Sequence, residues 1–220
     1  MALNQKHVFW EALVISLFIF GAGLVLGILI ENNRSNETLR LYLASETNLL
    51  DIQIFSDLLL EEDLDCEFIT RKNINFGNEI YSDALIFQQY EKARRISPEI
   101  RENRERFDLL RTLFWINSKK IQENCENFSI IVYLYQHPPQ DSIEEAKQEV
   151  FSRYLGNLKR DFQDSIMLIP LSYNSDLVSL QTLLAEYDIE KTSILVDSNF
   201  TVSNQEDLHK IRDYLSKKTN

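Results

Sequence analysis

Between Ala12 and Ile30 the chain reads ALVISLFIFGAGLVLGILI, without one charged side chain. At a rise of 1.5 Å per residue, roughly 20 such residues span the hydrocarbon core of a bilayer. A cleaved signal peptide is the competing reading, but its apolar core is usually about 7–15 residues and ends at a small-x-small site. Ile28-Leu29-Ile30-Glu31 offers no such site. The sequence therefore predicts a retained anchor, residues 1–34 with a span over about 10–30, and Phe9 and Trp10 where interfacial aromatics belong. Gly23 and Gly27 have the Gly-x-x-x-Gly spacing of packed membrane helices, which glycine-rich spans also produce by composition alone.

The rest of the chain is strongly acidic. Against 34 Asp and Glu stand 23 Lys and Arg, a net charge of -11. Such a surface repels phosphate backbones, so nucleic acid is excluded as an expected partner. With 5 Gly and 4 Pro, neither disorder nor a turn-rich all-β fold is expected. Lys6 precedes the anchor and Arg34 and Arg40 follow it, so the positive-inside count does not fix orientation. N-glycosylation acceptor patterns at Asn33, Asn36, Asn127 and Asn199, together with a cysteine pair, point to a cell-membrane protein with an extracytoplasmic domain.

Residues 35–126 read as about three helices. Leu39, Leu43, Leu50, Ile54 and Leu58 recur at helical spacing up to about residue 64. A second helix is expected from about Asn75 to Arg95. Ser97-Pro98-Glu99 then starts a third, a hydroxyl cap followed by proline and an acid. Arg101, Arg104, Arg106 and Arg111 among Glu102, Glu105 and Asp108 predict a solvated ion-pair face. Three successive helices running up, down and up bring Cys66, after the first, and Cys125, after the third, to one end. That placement makes them candidates for a disulfide; two unrelated buried thiols are the alternative.

From Ser129 the rhythm changes. SIIVYLYQ, SIMLIPLSY and TSILVD are strand runs, FTVS a short paired strand, and three amphipathic helices intervene or follow, the second opened by Ser175 and Asp176. The order β-α-β-α-β-β-α makes residues 127–220 an α/β domain with helices on both faces of a partly parallel sheet. Over about Ser129–Lys217 this order resembles the thioredoxin-like fold. It is carried by Ile131–Tyr135, Ile166–Pro170, the Leu-x-x-x-Tyr-x-Ile lead-in at Leu184–Ile189, and Ser193–Val196. The whole layout resembles a group of uncharacterised archaeal single-pass membrane proteins with a cysteine-bearing helical segment and a C-terminal thioredoxin-like domain.

In redox-active members of that superfamily a Cys-x-x-Cys pair sits where the first strand turns into the first helix, and the helix N-terminus activates the thiol. The resemblance lays Asp141 and Glu144 on the cysteine positions and Thr192 on the cis-proline position before the third strand. Both halves of the redox site are replaced, which implies a degenerate, redox-inactive member. Asp141 with Glu144 three residues on has capping-box spacing. His137, Pro138, Pro139 and Gln140 form a candidate binding loop in which His137 is expected to be a solvated loop histidine.

No His-Glu-x-x-His, Cys-x-x-Cys, Gly-x-Ser-x-Gly or phosphate-loop pattern occurs, so no cofactor or metal is expected and no enzyme activity assigned. The expectation is a membrane-anchored interaction or scaffold module, holding lipid through its anchor and a protein partner or further copies of itself. Two rivals stay open: thiol-disulfide chemistry by Cys66 and Cys125, and a structural coiled-coil membrane protein.

Overall fold

The computed structural model describes the backbone of residues 5–61, 65–93, 98–125 and 128–218, and the side chains of 9–30, 47–55, 57–58, 65–85, 104–125 and 128–218. It comprises two compact units, Met1–Ala44 and Ser45–Asn220. In the first, Phe9–Ile30 form a stretch of 22 residues with mean hydropathy 2.8, long and apolar enough to cross a membrane. Its apolar side chains point outward, Phe18 being 78% exposed. Added Cβ atoms at Gly23 and Gly27 would meet nothing within 4 Å. The predicted cap at Ser97 and the glycosylation side chains of Asn33, Asn36 and Asn127 lie outside the described residues.

Two helical boundaries differ from expectation. The predicted anchor and the first predicted helix are one element, α1 (Gln5–Glu61). No proline or glycine falls between Glu31 and Glu61 to end it. The next helix, α2 (Cys66–Ala93), starts well before Asn75. Its start is set by Asp65, whose carboxylate accepts from the amides of Glu67 and Phe68, each at 3.4 Å. The acidic run that reads as a break is thus in part a helix cap. Pro98 opens α3 (Pro98–Asn124), as its fixed φ favours.

The second unit is built on a four-stranded sheet in the order β2-β1-β3-β4. Strands β1 (Ser129–Tyr135) and β2 (Ile166–Ser172) are parallel, with Ser129 paired to Ile166 and Tyr135 to Ser172. Strands β3 (Ser193–Val196) and β4 (Phe200–Val202) form an antiparallel hairpin on the other side of β1. Helix α4 (Ser142–Phe162) joins β1 to β2, α5 (Val178–Glu186) follows β2, and α6 (His209–Lys218) closes the chain. The predicted opening of α5 by Ser175 and Asp176 is not used. Leu177 holds the cap position, without a side-chain hydrogen bond.

Side chains alternate across β1, so both faces of this central strand are buried and its sequence reads as a continuous apolar run. Ile131 and Tyr133 pack with Phe151, Leu155 and Leu158 of α4 and Ile211 and Leu215 of α6. On the opposite face Ile130, Val132 and Leu134 join Leu180 and Leu184 of α5, but also Ile52 of α1, Ile69 and Ile80 of α2, and Phe114 and Trp115 of α3. The expected boundary at residues 126–127 therefore divides no core: α2 and α3 are a layer of the α/β unit rather than a separate helical segment. The contact is close at Gly77, where a Cβ would lie 2.8 Å from Phe114 Cζ and 3.4 Å from Met167 Cγ. Glycine is needed there for approach, not for backbone freedom.

Helices α2 and α3 run antiparallel. Cys66 meets Cys125, Asn73 donates to Ser118 at 3.1 Å, and Gly77 abuts Phe114, each step forward in α2 matching a step back in α3. The Cys66 and Cys125 sulfurs are at bonding distance, 1.93 Å, with Cα atoms 5.5 Å apart.

Candidate functional site

The ends of the parallel strands β1 and β2 are where an open α/β sheet exposes its loops and helix N-termini, and Asp141, Glu144, Thr192 and the loop at His137 gather there. Asp141 has extended backbone and caps α4. Its Oδ1 accepts from the amides of Ile143 at 2.9 Å and Glu144 at 2.8 Å. This satisfies two of the donors that a helix start leaves unpaired. Asp141→Ala is expected to cost about 1 kcal/mol, a fall in Tm of about 2–4 °C, readable by thermal unfolding of the full chain.

Only half of the expected capping box forms. Glu144 turns away from the Asp141 amide: its Oε1 accepts from the Thr192 hydroxyl, and from Gln148 Nε2 at 3.2 Å. Thr192, directly before β3, is 1% exposed. Lys147 Nζ donates to the Thr192 carbonyl at 3.2 Å. Gln148 also donates to the Gln136 carbonyl at 3.1 Å, and its own carbonyl accepts from the Tyr133 hydroxyl at 3.1 Å. Burial raises the Tyr133 pKa, with the Glu144 charge a minor contributor in the same direction. The structure thus joins Glu144 to Thr192 across the gap between α4 and β3. Their chemistry is that of a hydroxyl held by a carboxylate, but a side chain as enclosed as Thr192 offers no oxygen to an incoming substrate.

The loop from Gln136 to Gln140 is braced from β2. The His137 amide donates to Asn174 Oδ1 at 2.9 Å, Asn174 Nδ2 donates back to the His137 carbonyl at 2.8 Å, and the Ser172 hydroxyl donates to Asn174 Oδ1 at 2.9 Å. The His137–Pro138 peptide is cis. Pro138 and Gln140 are exposed and Pro139 is half-buried. His137 is half-buried rather than solvated. Burial, with the Arg104 charge adding to it, lowers its pKa from 6.5 to about 4. A depressed histidine pKa means the unfolded chain binds the extra proton first. Stability is therefore expected to fall as pH drops from 6.5 towards 4 and to be flat with respect to this group above 6.5. His137→Asn should remove that slope, checked by urea midpoints at about pH 5 and about pH 7.

The predicted solvated arginine face is corrected at two positions. Asp108 is 0% and Arg111 4% exposed. Arg111 Nη1 lies 3.4 Å from Asp108 Oδ1 and 3.2 Å from the Pro170 carbonyl, and the guanidinium stands over the Phe107 ring. Helix α3 turns this side onto β2, so the pair is covered by the sheet. Asp83 of α2 also feels this cation. Burial raises the Asp83 pKa, the Glu79 charge adds to that, and Arg111 opposes it. Two carboxylates beside one guanidinium leave no net attraction for an anion.

Sequence reasoning missed Gln148, Asn174 and Asp197. The signal for Gln148 was its place one helical turn after Glu144, and for Asn174 its place in the turn after β2. Asp197, 6% exposed in its side chain, carried no local signal. The two cysteines stand apart from this site, at the ends of α2 and α3. Among the described residues, no three His, Cys, Asp or Glu side chains converge as metal ligands. Comparison with protein-family models, curated proteins and solved structures gives no match to this chain.

Proposed function

We propose that this chain is a membrane-tethered, redox-inactive module of thioredoxin-like fold that binds a protein partner rather than catalysing a reaction. The β-α-β-α-β-β-α order, the parallel β1–β2 pair and the antiparallel β3–β4 hairpin support the thioredoxin-like reading. The observation that carries the function is the site at the start of α4. Asp141 caps the helix, and Glu144 is held by Thr192 and Gln148, so both positions of a redox pair are committed to structure. The only two cysteines of the chain lie at bonding distance elsewhere.

The domain faces the outside of the cell membrane in this proposal. A bonded cysteine pair suits an oxidising compartment, and Asn199, one of the acceptor sequences, is exposed in the β3–β4 turn. Labelling Cys66 and Cys125 in intact cells with a membrane-impermeant thiol reagent tests orientation and bridge together. Labelling in intact cells only after an impermeant reductant is the expected result. Labelling that needs cell lysis, or that needs no reductant, contradicts the proposal.

A further inference from the structure

The part of α1 that belongs to the α/β unit is apolar on two faces. Ile52, 2% exposed, enters the core with Leu49 and Phe55 packed beside it. At 100° per residue, Leu50, Ile54 and Leu58 form a stripe on the opposite side. They are 56%, 60% and 45% exposed. Asp57 falls on one flank of this stripe and Asp51 on the other, each about 60° from its centre by the same helical geometry. Both carboxylates are exposed.

Charge selects among possible occupants. A second copy would bring the same two aspartates towards their counterparts, on chains that each carry -11. An anionic lipid surface meets the same repulsion. An apolar stripe between two acidic rims is complementary to an amphipathic helix whose apolar stripe runs between Lys or Arg residues.

We propose that Leu50, Ile54 and Leu58 of α1 are the docking stripe for a basic amphipathic helix of a partner protein, with Asp51 and Asp57 pairing its cations. This names the partner class for the interaction module proposed above and rests on that reading. The apolar contact supplies affinity, and the two acidic rims fix which helices are accepted.

The test uses the full chain in nanodiscs of zwitterionic lipid, so that a basic probe is not drawn to the bilayer. The probe is a fluorescent helical peptide of about 20 residues with leucines at i, i+4 and i+8 flanked by lysines. Its twin carries glutamate at every lysine. Fluorescence anisotropy should show binding of the lysine peptide, weakened by salt, and none of its twin. Ile54→Ser should weaken it about tenfold. The Asp51→Lys, Asp57→Lys double variant should reverse the preference to the glutamate twin, a gain of binding that misfolding would not produce. No binding, equal binding of both peptides, or a failed reversal overturns the proposal. So does a dimer of the wild-type chain that Ile54→Ser converts to monomer. Catalysis of disulfide exchange would contradict the module reading and leave the peptide result standing, so the two fail separately.

Discussion

Asp197→Ala is expected to destabilise the α/β unit by about 3 kcal/mol, because it removes the anion from a set of partly buried donors. One carboxylate oxygen accepts from Gln122 Nε2 at 2.7 Å and the Ile130 amide at 2.6 Å. The other accepts from Ser129 Oγ at 3.0 Å, the Tyr214 hydroxyl at 3.0 Å and Lys218 Nζ at 2.9 Å. A single side chain thus ties the end of α3, the start of β1 and helix α6 to the β3–β4 turn. It does so from a left-handed backbone position, φ 48°, with Ser198 beside it at φ 55°. Asp and Asn tolerate this region better than other non-glycine residues. Asp197→Asn therefore keeps the turn while losing the charge, and should cost less than the alanine variant.

The same contacts give a pH signature. Burial pushes the Asp197 pKa up, but hydrogen bonds from Lys218, Gln122 and the Ile130 amide outweigh it, and the net shift is below 3.8. A carboxyl with a depressed folded pKa stabilises fully above its unfolded value and loses that contribution as pH falls through the folded one. Acid unfolding of the wild-type chain should therefore carry a component below pH 3.8 that Asp197→Asn lacks. Identical acid limbs in the two proteins would contradict this.

The second large effect is expected from the cysteines. Their separation of 59 residues means that a bond between them closes a long loop in the unfolded chain. In the chain-entropy model that constraint contributes about 4 kcal/mol. The Cys66→Ser, Cys125→Ser double variant, and the wild-type chain under reductant, should both show a lowered denaturant midpoint, the serine variant the lower of the two. Because Cys125 is buried and Cys66 half-buried beside the same core as Ile69 and Phe128, part of any loss would be local packing. A midpoint unmoved by reductant would contradict the bridge.

These contacts also mark what the sequence made legible. β1 was readable because a strand buried on both faces must be an apolar run, and SIIVYLY is one. Asp141 was readable because capping is local, with acceptor and donors two or three residues apart. Arg111 and Asp108 were misread because periodicity reports which residues share a helix face, not whether a sheet covers it. Asp197 was invisible for a related reason: Gln122, Ser129 and Ile130 stand 75, 68 and 67 residues away in the chain. The boundary between a helical segment 35–126 and the α/β domain was misread likewise, since apolar faces such as those of α2 and α3 fit a helix bundle and a sheet layer equally well. Glu144 shows the limit at the site itself. Its spacing fits a capping box, but Thr192, 48 residues on, competes for the carboxylate and holds it.

The central proposal is that the start of α4 carries no redox chemistry, Asp141 and Glu144 being held by structural hydrogen bonds, while the cysteines serve structure. The most direct measurement is the reduction potential of the Cys66–Cys125 pair in the full chain, taken with an insulin-reduction assay. The account predicts a potential below about −300 mV, typical of structural disulfides, and no turnover above background. A potential in the range of exchange catalysts, about −120 to −270 mV, together with turnover would contradict it.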